Sequence, residues 1–566
     1  LHVYVFPIFP LFPESTQHLI YETNVQHFYI QMLYYICKKA QNLICYKYRL
    51  AIKRILARKK HFEYLKFSNF DFKIVENLPN YLIKSVFYAN IKIFIISLLL
   101  TSLQLFAQES RYPNQYLFSS DSIVKFDGLV SSPVYPNHII VSKIDSNSLC
   151  QKRNLLLRKL SCENLIFVDS IDYQLIINPM FDFALGKEKN YAHRLYENTR
   201  GFEVKGHLYN KLFFSSELYE TQFSATSYNH TWIDSFGVAP GIMRVKEFKE
   251  NAWDVASVYG SVTYVPNKNF HIALARDKLF IGDGYRSMFI SHNSPAYNYL
   301  QSTWVNKYFR YDYFLTFLQN PKINNIVIAP QSSLAGYQPK YASISFLIFK
   351  LHEKVHLGLY ESIIWNAHNS KYNSIHIKHF NPFIFSKTIN YGFDNENNAA
   401  VGFSLRYSPM NNFQVYTQYL LDNIQFSNKN IETNSALQVG FKVNNMQNRI
   451  PFYTQIEINA VSPYTYGHNN PLQTYSHYNH SLAHPLGANL NEIVFLAYTK
   501  VGRFIPRFMC SYGRAGIDSE NNELGQSVFA AQKNNISQSN FFPKIQDKNS
   551  SLLFLDARLN YVFNPS

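Results

Sequence analysis

From about residue 175 onward the chain alternates. The stretches "GFEVKGHLYNKLFFSSELYETQ", "FRYDYFLTFLQ", "YASISFLIFKL", "AAVGFSLRYSP", "FQVYTQYLLD", "ALQVGFKVNN", "FYTQIEINAV" and "LLFLDARLNYVF" each set polar against apolar or aromatic residues at every second position. Turns rich in Asn, Gly and Pro separate them. A period of two belongs to a strand whose two faces meet different surroundings. Segments of about ten residues, repeated over most of the chain, predict an all-β fold: a transmembrane antiparallel β-barrel of about 14–18 strands. Lipid then faces one side of each strand and a polar lumen the other, and closure leaves no backbone group unpaired in hydrocarbon. The rival architecture is a secreted β-sandwich repeat, which calls for more glycine and closer strand spacing.

Ahead of the barrel, residues 108–175 are mixed. Within them "SLCQKRNLLLRKLSCENLIFV" has apolar spacing for one short amphipathic helix, and this segment is expected to be periplasmic. Residues 91–107, "IKIFIISLLLTSLQLFA", carry Lys92, an apolar run from Ile93 to Leu100 and a small residue, Ala107, before Gln108. That is the layout of a signal peptide, and its apolar run is too short for a spanning helix. Residues 1–90 show no clear periodicity and are expected to be upstream translation or a disordered basic segment. The barrel expected over 176–566 breaks off at "LNYVFNPS", which reads as truncation within a strand.

Composition sharpens this picture. Of 566 residues 17% are aromatic, with 43 Tyr and 47 Phe, while only 16% are charged. This suits β structure with interfacial aromatic girdles. The formal charge of +16 is diffuse: residues 1–90 hold 12 Lys or Arg against 5 Asp or Glu, and no basic stripe interleaves with stacking aromatics. Nucleic acid is therefore not expected as a partner; a diffuse surplus suits anionic glycans or lipid head groups. The cysteines, Cys37, Cys45, Cys150, Cys162 and Cys510, form no C-x-x-C pair. Cys150 and Cys162 are spaced to pair in an oxidising compartment, or stay as thiols.

Three stretches invite chemistry. "LFIGDGYRSMFIS", 279–291, fits a loose G-x-G-x-x-S through Gly282, Gly284 and Ser287. A phosphate cradle needs a helix after the loop; "YRSMFISHNSPAYNYLQ" has no helical spacing, so a glycine-bent barrel strand is expected, with Asp283 and Arg286 in a lumen polar network as a matched pair. "LHEKVHLGLYE" holds His352-Glu353-x-x-His356, the zinc protease pattern, which works only on a helix; its flanks alternate as strands and place "HEK" at a hairpin tip. "TYGHNNPLQTYSHYNHSLAHPLGAN" gathers Tyr464, Tyr466, His468, Tyr475, His477, Tyr478, His480 and His484. Such a loop could serve three ends: glycan contact by stacking and hydrogen bonding, a transition-metal site, or packing that fills the lumen. No catalytic triad or phosphate loop appears, so no catalytic residue, metal or cofactor is assigned.

The runs "ENTRGFEVKGHL", "APGIMRVKEF", "FIGDGYRSMFISHNSPAYNYL", "HFNPFIF" and "SPYTYGHNNPLQTYSHYNHSLAHPLGANLNE" resemble, in collinear order over roughly residues 110–566, the RemB-type gliding-motility proteins of Bacteroidetes, which are similar to the capsule-assembly Wzi family. "GDGYRS" and "HPLGAN" are the most specific blocks. The resemblance implies a non-enzymatic outer-membrane barrel that associates with surface polysaccharide or with other motility proteins. A porin-like diffusion channel is the alternative, and the zinc protease the least favoured reading.

Overall fold

The computed structural model describes residues 133–136, 154, 158–159 and 163–561, apart from 190, 320–338, 367–379, 393–396, 428–429, 446–450, 519–522 and 530–549 other than 543 and 547. All belong to one compact unit, Lys92–Ser566. The basic N-terminal stretch, the signal-peptide pattern and the first four cysteines lie outside the described residues.

In chain order the strands are β1 (Val134–Tyr135), β2 (Ile166–Asp169), β3 (Tyr173–Gly186), β4 (Leu195–Leu208), β5 (Leu212–Ser224), β6 (Lys246–Glu247), β7 (Trp253–Asn267), β8 (Phe270–Asp277), β9 (Phe280–Ile281), β10 (Tyr297–Val305) and β11 (Phe309–Gln319). They continue with β12 (Pro339–His352), β13 (Val355–Asn366), β14 (Asn398–Met410), β15 (Phe413–Ser427), β16 (Asn430–Asn444), β17 (Phe452–Val461), β18 (Ser476–His477), β19 (His480–Ser481), β20 (Leu490–Thr499), β21 (Phe504–Ala515) and β22 (Ser550–Tyr561). Between these strands lie the helices α1 (Ser227–Phe236) and α2 (Ser386–Tyr391). Among the described residues, eighteen strands form one sheet that closes into a barrel, while β1 with β9 and β18 with β19 make two separate ribbons. Neighbours are antiparallel, as in β16–β17–β20, where Gly440 faces Glu457 and Asn459 faces Glu492. The barrel is the expected all-β fold.

The alternation has the polarity of a membrane barrel. Along β17 the buried positions are Tyr453, Gln455, Glu457, Asn459 and Val461, and outside lie Phe452 and the 55%-exposed Ile458. Val262, Leu274 and Val439 repeat that outward exposure on β7, β8 and β16. Water would penalise such a belt; hydrocarbon favours it. No described helix is long and apolar enough to cross a membrane.

The largest hydrophobic cluster lies inside. It joins Leu279, Ile281, Met288, Phe289 and Ile290 to Tyr466, Tyr475, Leu482 and Ala483, and to the inward side chains Phe314, Ile344, Phe346, Tyr360 and Leu420. Two long connections, 279–296 and 462–489, therefore fold into the lumen as a plug. This corrects one expectation: "GDGYRS" is a loop inside the barrel, not a bent strand of its wall. Within the 108–175 segment, β1 pairs with β9 of the first connection, Val134 against Ile281 and Tyr135 against Phe280. Arg158 and Lys159, in the stretch expected to hold a short helix, are helical.

Candidate functional site

The plug goes inward because its backbone finds acceptors there. A loop carries unpaired N–H and C=O groups that are costly to bury without partners. At Gly282–Ser287 the barrel wall supplies them. The Glu457 carboxylate accepts from the Tyr285 N–H at 2.7 Å, the Arg286 N–H at 3.0 Å and the Tyr416 hydroxyl at 2.8 Å. Gln438 Nε2 donates to the Arg286 carbonyl at 2.9 Å, and Gln418 accepts from the Met288 N–H at 2.8 Å while donating to the Ile281 carbonyl at 3.0 Å. Gly284 is required by this fit: a Cβ there would lie 2.4 Å from Glu457 Oε2 and 2.6 Å from Gln438 Oε1.

Arg286 extends from this loop to a second wall carboxylate. Its Nε and Nη2 donate to Glu492 at 3.1 and 2.8 Å, the bidentate geometry that suits guanidinium and carboxylate. Glu492 is also bonded by His484 Nε2 at 2.9 Å, Ser511 Oγ at 2.6 Å and Asn459 Nδ2 at 3.3 Å. Burial disfavours charge on Arg286, but Glu492 more than restores it, so the guanidinium holds its proton more firmly than usual. Asp283 and Arg286 do not pair with each other, contrary to expectation. Asp283 takes Gln414 Nε2 at 2.8 Å and Arg406 at 3.4 Å, and its carbonyl accepts from Lys442 Nζ at 2.9 Å. Burial pushes the Asp283 carboxyl up, but Arg406 and Lys442 outweigh it and leave it below the ordinary carboxylate range.

The aromatic and histidine loop is buried rather than displayed. Tyr464, Tyr466, His468, Tyr475, His477, His480 and His484 are all buried, and Tyr478 alone of the eight is part-exposed. Tyr466 and Tyr475 donate to the Met288 and Phe289 carbonyls at 3.1 and 2.9 Å, Tyr475 also bonds the Tyr360 hydroxyl, and Phe289 stacks on Tyr360 at 4.3 Å. His477 Nδ1 accepts from the Gln319 N–H at 3.0 Å. His480 accepts from the Gly241 N–H at 3.2 Å through Nε2 while Nδ1 lies 2.7 Å from the Tyr478 carbonyl, a pair of contacts that suits a neutral ring. Burial pushes its pKa down to about 4. The loop packs inside the barrel, against the 279–296 connection and the inner wall. No group of His, Cys, Asp or Glu able to hold a metal occurs among the described residues. His352 pairs with Val355 and His356 with Lys350 across a β-hairpin, so the helix that H-E-x-x-H chemistry requires is absent there.

Beyond the plug, the inner faces of β4, β5 and β7 carry a polar strip. Glu203 and Lys205 meet at 3.0 Å, Thr199 and Thr221 at 2.8 Å, Ser215 and Ser261 at 2.9 Å, and Tyr219, bonded to Glu217, stands edge-on to Tyr259 at 5.9 Å. Glu203, Lys205, Tyr219 and Tyr259 are only partly buried. Sequence reasoning passed over Glu457, Glu492, Gln418 and Gln438. Their signal was available as polar residues at lumen-facing parity in "FYTQIEINAV", "LNEIVFLAYT", "FQVYTQYLLD" and "ALQVGFKVNN".

These features define a class: an antiparallel β-barrel of the outer-membrane type with an in-folded plug. No family model and no curated protein matches the chain. Among solved structures it is similar to Wzi of Escherichia coli, described as a carbohydrate-binding β-barrel involved in group 1 capsule assembly, at 11% identity and a TM-score of 0.38, covering 69% of this chain and 81% of that one. It is also similar to OccK8 (OprE) of Pseudomonas aeruginosa, at 8% identity and a TM-score of 0.32 over 61% and 84% of the two chains. OccAB3 of Acinetobacter baumannii shows 9% identity and a TM-score of 0.27 over 63% and 95%.

Proposed function

We propose that the protein is a non-enzymatic barrel of the outer membrane that associates with cell-surface polysaccharide, in capsule association or in gliding motility. The observation that carries this reading is the plug: two connections fixed to Glu457 and Glu492 fill the lumen with ordered side chains, as a rigid scaffold needs and a wide pore does not. The strip on β4, β5 and β7 adds hydroxyls, carboxylates and two tyrosines, the donor set that holds sugar hydroxyls and ring faces. The resemblance of "GDGYRS" and "HPLGAN" to gliding and capsule-assembly proteins points the same way. The outer-membrane lipid is the structural partner.

The test is retention of purified surface polysaccharide by the detergent-solubilised full chain. Binding that falls at least tenfold in Tyr219→Ala and Tyr259→Ala, with the barrel still heat-modifiable in electrophoresis, supports the reading. No retention by the folded wild-type protein removes it. The part-exposed Glu203 and Lys205 favour a second reading, a narrow channel for small polar solutes, which single-channel conductance in a planar bilayer would reveal.

A further inference from the structure

One wall of the barrel breaks its own pattern. The outward side chains of β13 run Leu357, Leu359, Glu361, Ile363, Trp365, so a carboxylate sits in an apolar row. Across the sheet Glu361 is level with Val401 on β14 and Leu421 on β15, and on its other side with Ser345 on β12 and Tyr313 on β11. Hydrocarbon covers such a row in a membrane barrel, where an uncompensated charge is costly.

The connection after β13 covers the misfit. Residues 380–392, including α2, lie on the outer face of β11–β14. Lys387 Nζ is 3.1 Å from the Glu361 carboxylate, with both side chains fully buried, and bonds Ser345 Oγ at 3.3 Å and its own segment's Asn381 carbonyl at 3.0 Å. The Thr388 N–H and hydroxyl donate to Glu361 at 3.0 and 2.9 Å, and Tyr311 bonds the Pro382 carbonyl. Leu315, Ile363, Trp365 and Ala399 pack beneath with Tyr391, and a Cβ on Gly392 would come within 2.6 Å of the Ala399 Cβ. The side turned away from the wall is mainly apolar: Phe383 is 74% exposed and Ile389 65%, Pro382 is exposed beside them, and the exposed Asn390 turns its amide to Ser386 Oγ at 3.5 Å. Phe317 and Phe403, on the lipid-facing belt at the flap's margins, are also exposed.

We propose that residues 380–392 are a membrane-embedded flap: they lie between barrel wall and acyl chains, turn Lys387 and Thr388 onto Glu361 and Ser345, bond Asn381 and Asn390 to Ser386 within the segment, and present Phe383 and Ile389 to hydrocarbon. Its partner is the lipid hydrocarbon, with which the flap's apolar side continues the barrel's belt. The inference rests on the reading that this barrel spans a membrane.

The experiment uses the full chain with its five cysteines replaced by serine, reconstituted in phosphatidylcholine vesicles. Single cysteines at Phe383, Ile389, Phe403 on the bare wall and Lys354 at the β12–β13 turn carry an environment-sensitive fluorophore. Brominated acyl chains are the quencher. Quenching of Phe383→Cys and Ile389→Cys within twofold of Phe403→Cys, with Lys354→Cys at least fivefold less quenched, is the expected result. Quenching at Phe403→Cys with Phe383→Cys and Ile389→Cys as weakly quenched as Lys354→Cys places the flap in water and overturns the proposal while the barrel reading stands. Weak quenching at Phe403→Cys as well overturns both.

Discussion

Arg286 and Glu492, 206 positions apart in the chain, meet inside the barrel through two hydrogen bonds, and Glu492 is at the same time held by His484. One wall carboxylate thus ties together both connections that make up the plug. Removing one member strands the other charge in a largely buried setting. Arg286→Met and Glu492→Gln are each expected to destabilise the plugged state by about 3–5 kcal/mol, and the double variant by less than the sum. Protease susceptibility of 279–296 in the reconstituted barrel reads this directly.

Gly284 has a more local role. Its missing side chain lets Glu457 and Gln438 reach the loop, and Gly284→Ala drives a methyl into both carbonyl-type oxygens. Faster hydrogen exchange at the Tyr285 and Arg286 amides is expected, with little change in the outer strands. Gly502→Ala, where nothing lies near the added Cβ but φ is +61°, costs only local turn strain and leaves the plug amides protected.

Phe289 is the apolar counterpart of these anchors. It is fully buried and stacks on Tyr360. Phe289→Ala leaves a cavity between plug and wall and is expected to cost about 3–5 kcal/mol. Thermal transitions followed by plug proteolysis measure it, and Phe289→Tyr, which only adds a hydroxyl against packed rings, should cost less than the deletion.

Acid should loosen the plug in two stages. His480 is held by burial at about 4, below the 6.5 or so of an unfolded histidine. Protons therefore favour the unplugged chain first: stability is full above about pH 6.5 and falls as pH drops toward about 4. His484, pushed down by burial against the pull of Glu492, adds to the same slope. Asp283, whose carboxyl lies below its ordinary range, adds a further loss as pH falls below about 4. Exchange rates in the plug between pH 7 and 3 should rise accordingly, and His480→Asn should flatten the upper stage; an unchanged slope in that variant would contradict the assignment.

The wall of this molecule was legible in the chain because a strand's partner surfaces differ at every residue. "FYTQIEINAV" sorts itself into Tyr453, Gln455, Glu457 and Asn459 within and Phe452 and Ile458 without. The plug was not legible. "GDGYRS" announces an unusual backbone, but what it touches, Glu457 and Glu492, lies more than 170 residues away. Polar aromatic composition in 464–484 suits an exposed sugar-binding loop as well as a buried one, and only the acceptors, the Met288 and Phe289 carbonyls and the Asp422 carboxylate, distinguish them. The flap had a clue that went unused: Glu361 is a charged residue at lipid-facing parity in "VHLGLYESIIW", and such a residue needs a cover.

The pairing of β1 with β9 bears on how the molecule is put together. Val134 and Tyr135 precede every described barrel strand, yet they are laced to Phe280 and Ile281, and the Gly282 N–H donates to the Pro133 carbonyl. The second half of the plug arrives only with residues 462–489, between β17 and β20. A segment from before the first wall strand and one from near the last are thus knitted around the same central loop. The central loop is thus a three-way junction, whose order depends on segments from both ends of the described barrel.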